Sequence, residues 1–256
     1  MKLLVLGLVA ALAAGCNTVP DLAVIGRYGP MDFDGDIGVS SSGVVATTST
    51  ESLGIEEDDG VISPRVDFSW LAVDVWGSFY DAQFEGEGTL EADMDFGGST
   101  ITAGEPTDTV FNLMLGTSAI TLDLVPGDTF DLGIGVGFGY IDWDAEITSQ
   151  TSSETIASTE TFFMPLAAVR AAIEWSSLEL SVLVAGFAVN VEEDEAEIFD
   201  GDAMLRWHFL NAGPMQGGVV AGYRMTMVDA LYESGGSTFD ADFEVSGPYA
   251  GLTLEF

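Results

Sequence analysis

From Phe130 to Tyr140 the chain alternates without a slip: Phe130, Leu132, Ile134, Val136, Phe138 and Tyr140 take one parity, and Asp131, Gly133, Gly135, Gly137 and Gly139 take the other. Successive side chains of a β-strand point to opposite faces, so this period of two describes an extended strand with one large apolar face and one face almost bare of side chains. A strand crosses a membrane in ~9 to 11 residues with its outer side against lipid, and the run meets that demand. A strand of a soluble sandwich is the other reading. The composition restricts the choice further. With 6 Lys+Arg against 42 Asp+Glu and a formal charge of -36, the chain repels phosphate, which excludes a nucleic-acid partner. Yet 47% of its residues are hydrophobic, more than an acidic disordered chain contains, so apolar and acidic residues must be sorted onto different surfaces of a fold. The longest strongly apolar run, Leu3 to Ala14, falls short of the ~18 residues of a spanning helix.

Further segments repeat the alternation and meet in short turns. Val61 to Trp70 joins Ala72 to Glu85 at Trp70-Leu71, and Asp108 to Leu124 leads through Val125-Pro126-Gly127-Asp128 into the glycine-rich strand, which runs on to Ile147. Glu160 to Trp175 turns at Ser176-Ser177 into Leu178 to Val191, and Ala196 to Leu210 turns at Asn211-Ala212-Gly213-Pro214 into Gly218 to Leu231. A last strand runs from Phe239 to Phe256, and a weaker first one from about Asp32 to Ser42. The pattern predicts an all-β fold, a transmembrane antiparallel up-and-down barrel of about ten strands over residues 32–256, with eight or twelve strands left open. The other connections, roughly Gly43 to Gly60, Gly86 to Thr107, Thr148 to Thr159, Glu192 to Glu195 and Tyr232 to Ser237, are longer and acidic, so the short turns are assigned to the periplasmic side. Trp70, Trp175, Trp207, Phe209 and Phe256 fall on outward positions at that end, as an interfacial aromatic girdle requires.

The two ends of the chain supply an address. Met1-Lys2 followed by an apolar stretch and small residues reads as a signal peptide over residues 1–15. Leu12-Ala13-Ala14-Gly15-Cys16 is similar to a bacterial lipobox, in which the Cys16 thiol receives lipid; ordinary cleavage after Ala-Leu-Ala would leave Cys16 incidental. Residues 16–31 are then an N-terminal linker, and the mature chain keeps five arginines and no lysine. At the other end, Gly247-Pro248-Tyr249-Ala250-Gly251-Leu252-Thr253-Leu254-Glu255-Phe256, with Leu252 and Leu254 in step with the terminal Phe, resembles the C-terminal signal of bacterial outer-membrane β-barrels, the small-barrel class of OmpA-, OmpX- and OmpW-like proteins. That resemblance implies residence in the outer membrane, lipid as surroundings, and recognition of the last strand by the barrel assembly machinery.

If Phe130 faces lipid, parity within each hairpin assigns the interior. Arg65, Arg170, Arg206 and Arg224 point into the lumen with Asp67, Asp74, Asp123, Asp131, Glu174, Glu179 and Glu255 at similar depth, and a desolvated arginine needs such partners. His208, the one histidine, stands inward beside Arg206. This set is read as a charge network plugging the lower lumen, with a selective polar constriction as the rival. Towards the long loops the inward set turns apolar: Tyr80, Phe84, Phe111, Leu113, Leu115, Phe162, Met164, Leu166, Phe187, Val189, Val191, Phe243 and Val245. Its neighbours Asp81, Glu85, Asn190, Asp240, Asp242 and Glu244 turn outward. The barrel therefore extends beyond the bilayer, and its upper interior is either a packed core or an apolar cavity.

The OmpW-like resemblance implies traffic of small hydrophobic molecules, so the leading functional expectation is a non-enzymatic barrel that binds or passes such solutes above a plug. The alternative is a structural or surface-interaction barrel with a filled lumen and acidic loops that hold divalent cations. Omptin-like proteases and barrel lipid hydrolases resemble this architecture but place histidine chemistry at the outer rim or on the lipid face, which His208 does not match, so no catalytic residue is assigned. No cofactor or specific metal site is assigned either. Asp32-Phe33-Asp34-Gly35-Asp36 opens like a calcium loop, but Gly43 stands where the bidentate Glu of an EF-hand belongs. Glu56-Glu57-Asp58-Asp59 and Glu192-Glu193-Asp194-Glu195 read as solvated acidic faces, diffuse cation sites, or adaptation to a saline habitat. Metabolic labelling with a fatty-acid analogue is expected to mark the wild type and not Cys16→Ser. The variant should still reach the outer membrane, because the barrel inserts by its own strands.

Overall fold

In lipid no water is present to satisfy an open sheet edge, so a membrane sheet must close on itself. The computed structural model, which describes residues 20–40, 47–55, 58–96, 99–125, 129–191, 194–234 and 237–256, meets this requirement with ten long antiparallel strands. They are β1 (Asp21–Ser40), β3 (Asp58–Trp70), β4 (Val73–Thr89), β7 (Pro106–Val125), β8 (Phe130–Ser149), β9 (Thr155–Trp175), β10 (Leu178–Val191), β11 (Asp194–Ala212), β12 (Met215–Ser234) and β13 (Ser237–Glu255). Each pairs with its neighbour in the chain, and β13 returns to β1 from Ala23 opposite Glu255 to Ser40 opposite Thr238. Three short strands, β2 (Thr47–Ser49), β5 (Met94–Phe96) and β6 (Ser99–Ile101), lie in the loops and join the sheet through β1.

The first strand departs from the sequence expectation. It begins at Asp21, inside the stretch expected as linker, and carries Arg27 into the barrel. Gly29-Pro30 reads as a break, but both neighbouring ladders step over Pro30. Pairing with β13 jumps from Tyr28 to Asp32, and pairing with β3 shifts between Gly29 and Met31, so the proline's missing N–H falls where no ladder bond is needed. The strands on the long-loop side also run further than expected. β11 starts at Asp194 and β12 reaches Ser234, so two of the expected acidic loops are strand ends.

Above the middle of the barrel the interior is solid aromatic packing. Phe33 on β1, 3% exposed, lies between Phe84 of β4 and Phe111 of β7 with ring centroids 5.0 and 4.7 Å away, and Phe243 of β13 leans on it at 5.2 Å. Trp143 of β8 extends the stack, 6.4 Å from Phe111 and 6.0 Å from Phe243. The glycine face of β8 shapes this interior. A Cβ on Gly135 or Gly137 would run into the backbone of β7, while at Gly139 it would sit in ordinary contact with Leu166 of the neighbouring β9 and Ile198 of β11. The loops add a roof: Leu53, Leu90, Met94 and Ile101 are buried with Ile147 and Ile156 of the barrel, and Ile55 packs against both this cluster and the main core. Phe33→Ala is expected to lower stability by about 3–5 kcal/mol, read as the urea midpoint of the detergent-folded barrel.

Candidate functional site

The lumen is where this sequence places its unusual chemistry, because all five described arginines enter it. A guanidinium buried in a narrow barrel must be met by carboxylates, and the alternating face of each strand supplies them at matching depth. Asp202 of β11 is the centre. Arg27 donates to its Oδ2 at 2.5 Å, Arg65 donates to the same oxygen at 3.2 Å, and the Tyr249 hydroxyl donates to Oδ1 at 2.5 Å. Arg27 also donates to the Ser63 carbonyl at 2.9 Å and lies over the Tyr249 ring, 4.9 Å from its centroid. The lattice continues towards the turns. Asp67 accepts from Arg65 at 2.7 Å and from Arg206 at 2.9 Å, and Arg206 reaches Glu179 at 3.3 Å and Glu255 at 3.7 Å. His208 Nε2 stands 3.3 Å from Glu255.

Two smaller groups flank this lattice. Arg224 forks onto both oxygens of Asp200, at 3.0 and 3.1 Å, under Tyr80, whose ring centroid is 4.9 Å from the guanidinium carbon. Arg170 bonds Asp74 at 2.7 Å and also Asp131. Asp74, Asp123 and Asp131 bring carboxylate oxygens within 4.8 Å of one another, the one described group of residues that could hold a metal. Arg27 and Arg224 are each 1% exposed, so bulk water does not reach either guanidinium.

Of the residues expected in the network, Arg65, Asp67, Asp74, Asp131, Arg170, Glu179, Arg206, His208, Arg224 and Glu255 are in these contacts, while Glu174 stands exposed at the turn-side mouth. Sequence reasoning missed Arg27, hidden in the presumed linker, and Asp200 and Asp202. The two aspartates share the parity of Arg206 on one strand, so the signal for them was available. Of the expected cavity residues, Tyr80, Phe84, Phe111, Leu113 and Phe243 are buried in the main core, with Phe162, Met164 and Phe187 packed against it. Phe84, Phe111, Phe162 and Phe243 are in ring contact with Phe33 or Trp143. The side chains of Val189, Asn190 and Val191 and of the clusters at 56–59 and 192–195 are not described, and Cys16 lies outside the described residues.

The outside is divided just as sharply. Trp70, Trp175, Trp207, Phe209 and Phe256 are all exposed at the turn end, about half of each side chain. A second aromatic level, Tyr28, Phe79, Phe138, Phe163 and Tyr223, is exposed further along the strands, with aliphatic side chains such as Ile120, Ile134 and Leu252 between the two. Beyond it the outward positions become acidic: Asp32, Asp34 and Asp36 on β1, Asp81, Glu85 and Glu87 on β4, Asp144 and Glu146 on β8, and Asp242 on β13. No Lys or Arg accompanies them among the described residues. Asp36 and Asp229 both face Asp242 in register. Partial burial, with Asp229, Asp242 and Asp36 nearby, pushes the neighbouring Asp240 carboxyl above its usual range.

The sequence matches no protein-family model and no curated protein. Among solved structures the chain is similar to the outer membrane protease OmpT from Escherichia coli, with a TM-score of 0.52 and 9% identity over 94% of this chain and 98% of that one. It also aligns with a FadL homologue of Pseudomonas aeruginosa, at a TM-score of 0.31 and 8% identity over 93% and 90% of the two chains. A third alignment is with the attachment invasion locus protein Ail of Yersinia pestis, at 0.29 and 11% over 92% and 99%. At 9% identity the OmpT likeness speaks to fold, and the fold is that of an outer-membrane β-barrel.

Removing Asp202 leaves Arg27 and Arg65 buried without their shared counter-charge. Asp202→Ala is expected to destabilise the barrel by about 3–5 kcal/mol, whereas Asp81→Asn on the exposed collar should stay within about 0.5 kcal/mol, both read from urea unfolding in detergent.

Proposed function

We propose that this chain is a non-enzymatic barrel of the bacterial outer membrane whose lumen is closed, and that it acts as a surface scaffold presenting an acidic collar. The observation that carries this reading is the filling of the lumen at successive depths. The Arg–carboxylate lattice blocks the turn end, the stack around Phe33 occupies the part above it, and the Leu53–Met94 roof covers the loop end. Passage or binding of a small apolar solute in the upper lumen would require Phe33 to leave the place it holds between Phe84 and Phe111.

The surroundings in this reading are lipid at the apolar belt and, for assembly, the machinery that recognises the last strand. Divalent cations are the partners of the collar. Carboxylates directly opposite one another on neighbouring strands, as at Asp36, Asp242 and Asp229, repel, and shared cations relieve that repulsion. Catalysis is not part of the proposal, because the one histidine is spent on Glu255 at the end remote from the loops. Lipid at Cys16 would add a second anchor to a barrel that already spans the membrane.

Planar-bilayer recording and uptake of a hydrophobic dye into proteoliposomes test the closed lumen. Wild type is expected to give neither conductance steps nor uptake above empty vesicles. Uptake that is abolished by Phe162→Asp with folding intact would instead establish solute passage.

A further inference from the structure

Three carboxylates meet near the turn end of the lumen: Asp74 on β4, Asp123 on β7 and Asp131 on β8. The cation bonded to them is Arg170, through a single nitrogen that bonds Asp74 Oδ2 and Asp131 Oδ2, while the Ser69 hydroxyl donates to Asp74 Oδ1. Asp123 Oδ1 and Asp131 Oδ1 remain buried with no hydrogen-bond partner among the described residues. A third buried oxygen joins them. Thr121 lies directly opposite Asp74 in the ladder and two residues before Asp123, is 0% exposed, and its Oγ1 likewise has no partner among the described residues. That hydroxyl borders the same empty position as the Asp123 carboxylate. Gly133, paired with Asp123, has no side chain, and the point where its Cβ would stand is 3.2 Å from Thr121 Oγ1 and 3.5 Å from Asp123 Oδ1.

A buried polar atom without a partner costs about 1–3 kcal/mol, and here three gather in one place. Ionised carboxylates only accept, so what satisfies them must be positive or must donate. With all three carboxylates ionised, one guanidinium leaves two negative charges, the amount one divalent ion neutralises. The donor set is all oxygen, which selects a hard cation over a soft one. Calcium binds oxygen at about 2.3–2.6 Å, so two ligands of one ion stand no more than about 5 Å apart. The carboxylate oxygens already lie within 4.8 Å of one another. Access exists at the mouth, where Asp131 and Arg170 line a cavity of about 130 Å³ together with Glu174 and Glu179.

We propose that Asp74, Asp123, Asp131 and Thr121 bind one hard divalent cation of calcium size inside the turn end of the barrel. The site is separate from the acidic collar and independent of the lumen's being closed.

The test uses the full detergent-folded protein, stripped with chelator and titrated with CaCl₂ in about 0.5 M NaCl, which shortens the Debye length to a few Å and suppresses diffuse binding at the collar. One saturable site and a raised unfolding temperature are expected. Asp123→Asn should weaken calcium binding by about tenfold or more, and Asp81→Asn on the collar should leave it unchanged. Without calcium, Asp123→Asn should be at least as stable as wild type, because it removes one of three like charges. Thr121→Val, close to isosteric, should weaken binding without unfolding the barrel and serves if the aspartate variant fails to fold. The proposal is overturned if a folded Asp123→Asn or Thr121→Val binds calcium as tightly as wild type, or if wild type shows no saturable site.

Discussion

Closure of the sheet is the condition on which everything else in this barrel depends. The ladder between β13 and β1 removes the last unpaired edge, and without it the backbone groups of both strands would face hydrocarbon. Closing ten strands also encloses a narrow interior, and each strand must send alternate side chains into it. An arginine sent there has no water to fall back on. That is why Arg27, Arg65 and Arg206 share Asp202 and Asp67 between them, so that each carboxylate neutralises more than one neighbour.

The same alternation is used twice with opposite meaning. Within the bilayer the outward parity is aliphatic or aromatic and the inward parity charged, whereas beyond it the outward parity is acidic and the inward parity aromatic. Apart from the shift at Gly29–Met31 between β1 and β3, the long ladders such as β7–β8 and β12–β13 hold their register through this level, and the residue types exchange places along them. Strands β1, β4, β8 and β13 make the exchange at one level, which marks where the apolar belt ends. The aromatic side chains Tyr28, Phe79, Phe138, Phe163 and Tyr223 stand at that border.

Much of this was legible in the sequence. The run from Phe130 to Tyr140 fixed a lipid face, and parity carried across tight turns was enough to send Arg206 and Glu179 inward and Trp175 and Trp207 outward. What local pattern could not supply was the first half of β1, Asp21 to Met31. Its place depends on pairing with β13 from the far end of the chain, and Gly29-Pro30 conceals its continuity until both partners are seen to skip the proline. Arg27 was lost with it, while Phe33 lay inside the expected strand but was given no inward place; they are central to the charge lattice and to the aromatic stack respectively. Asp200 and Asp202 are a different kind of omission. They alternate correctly, but nothing in β11 itself shows that Arg27 and Arg65 will reach across from β1 and β3.

The seam also joins the two ends of the chain. Leu22 and Phe256 exchange backbone hydrogen bonds at 3.2 and 3.0 Å, so the barrel is a ring of strands in which no strand is first in energetic terms. A circularly permuted chain, with Phe256 linked to Asp21 and new ends opened in a loop on the other side, would retain every ladder and every lumen contact. Phe256 would then lie within the chain. Such a permutant would separate sealing of the sheet from the recognition during insertion that is proposed for the last strand.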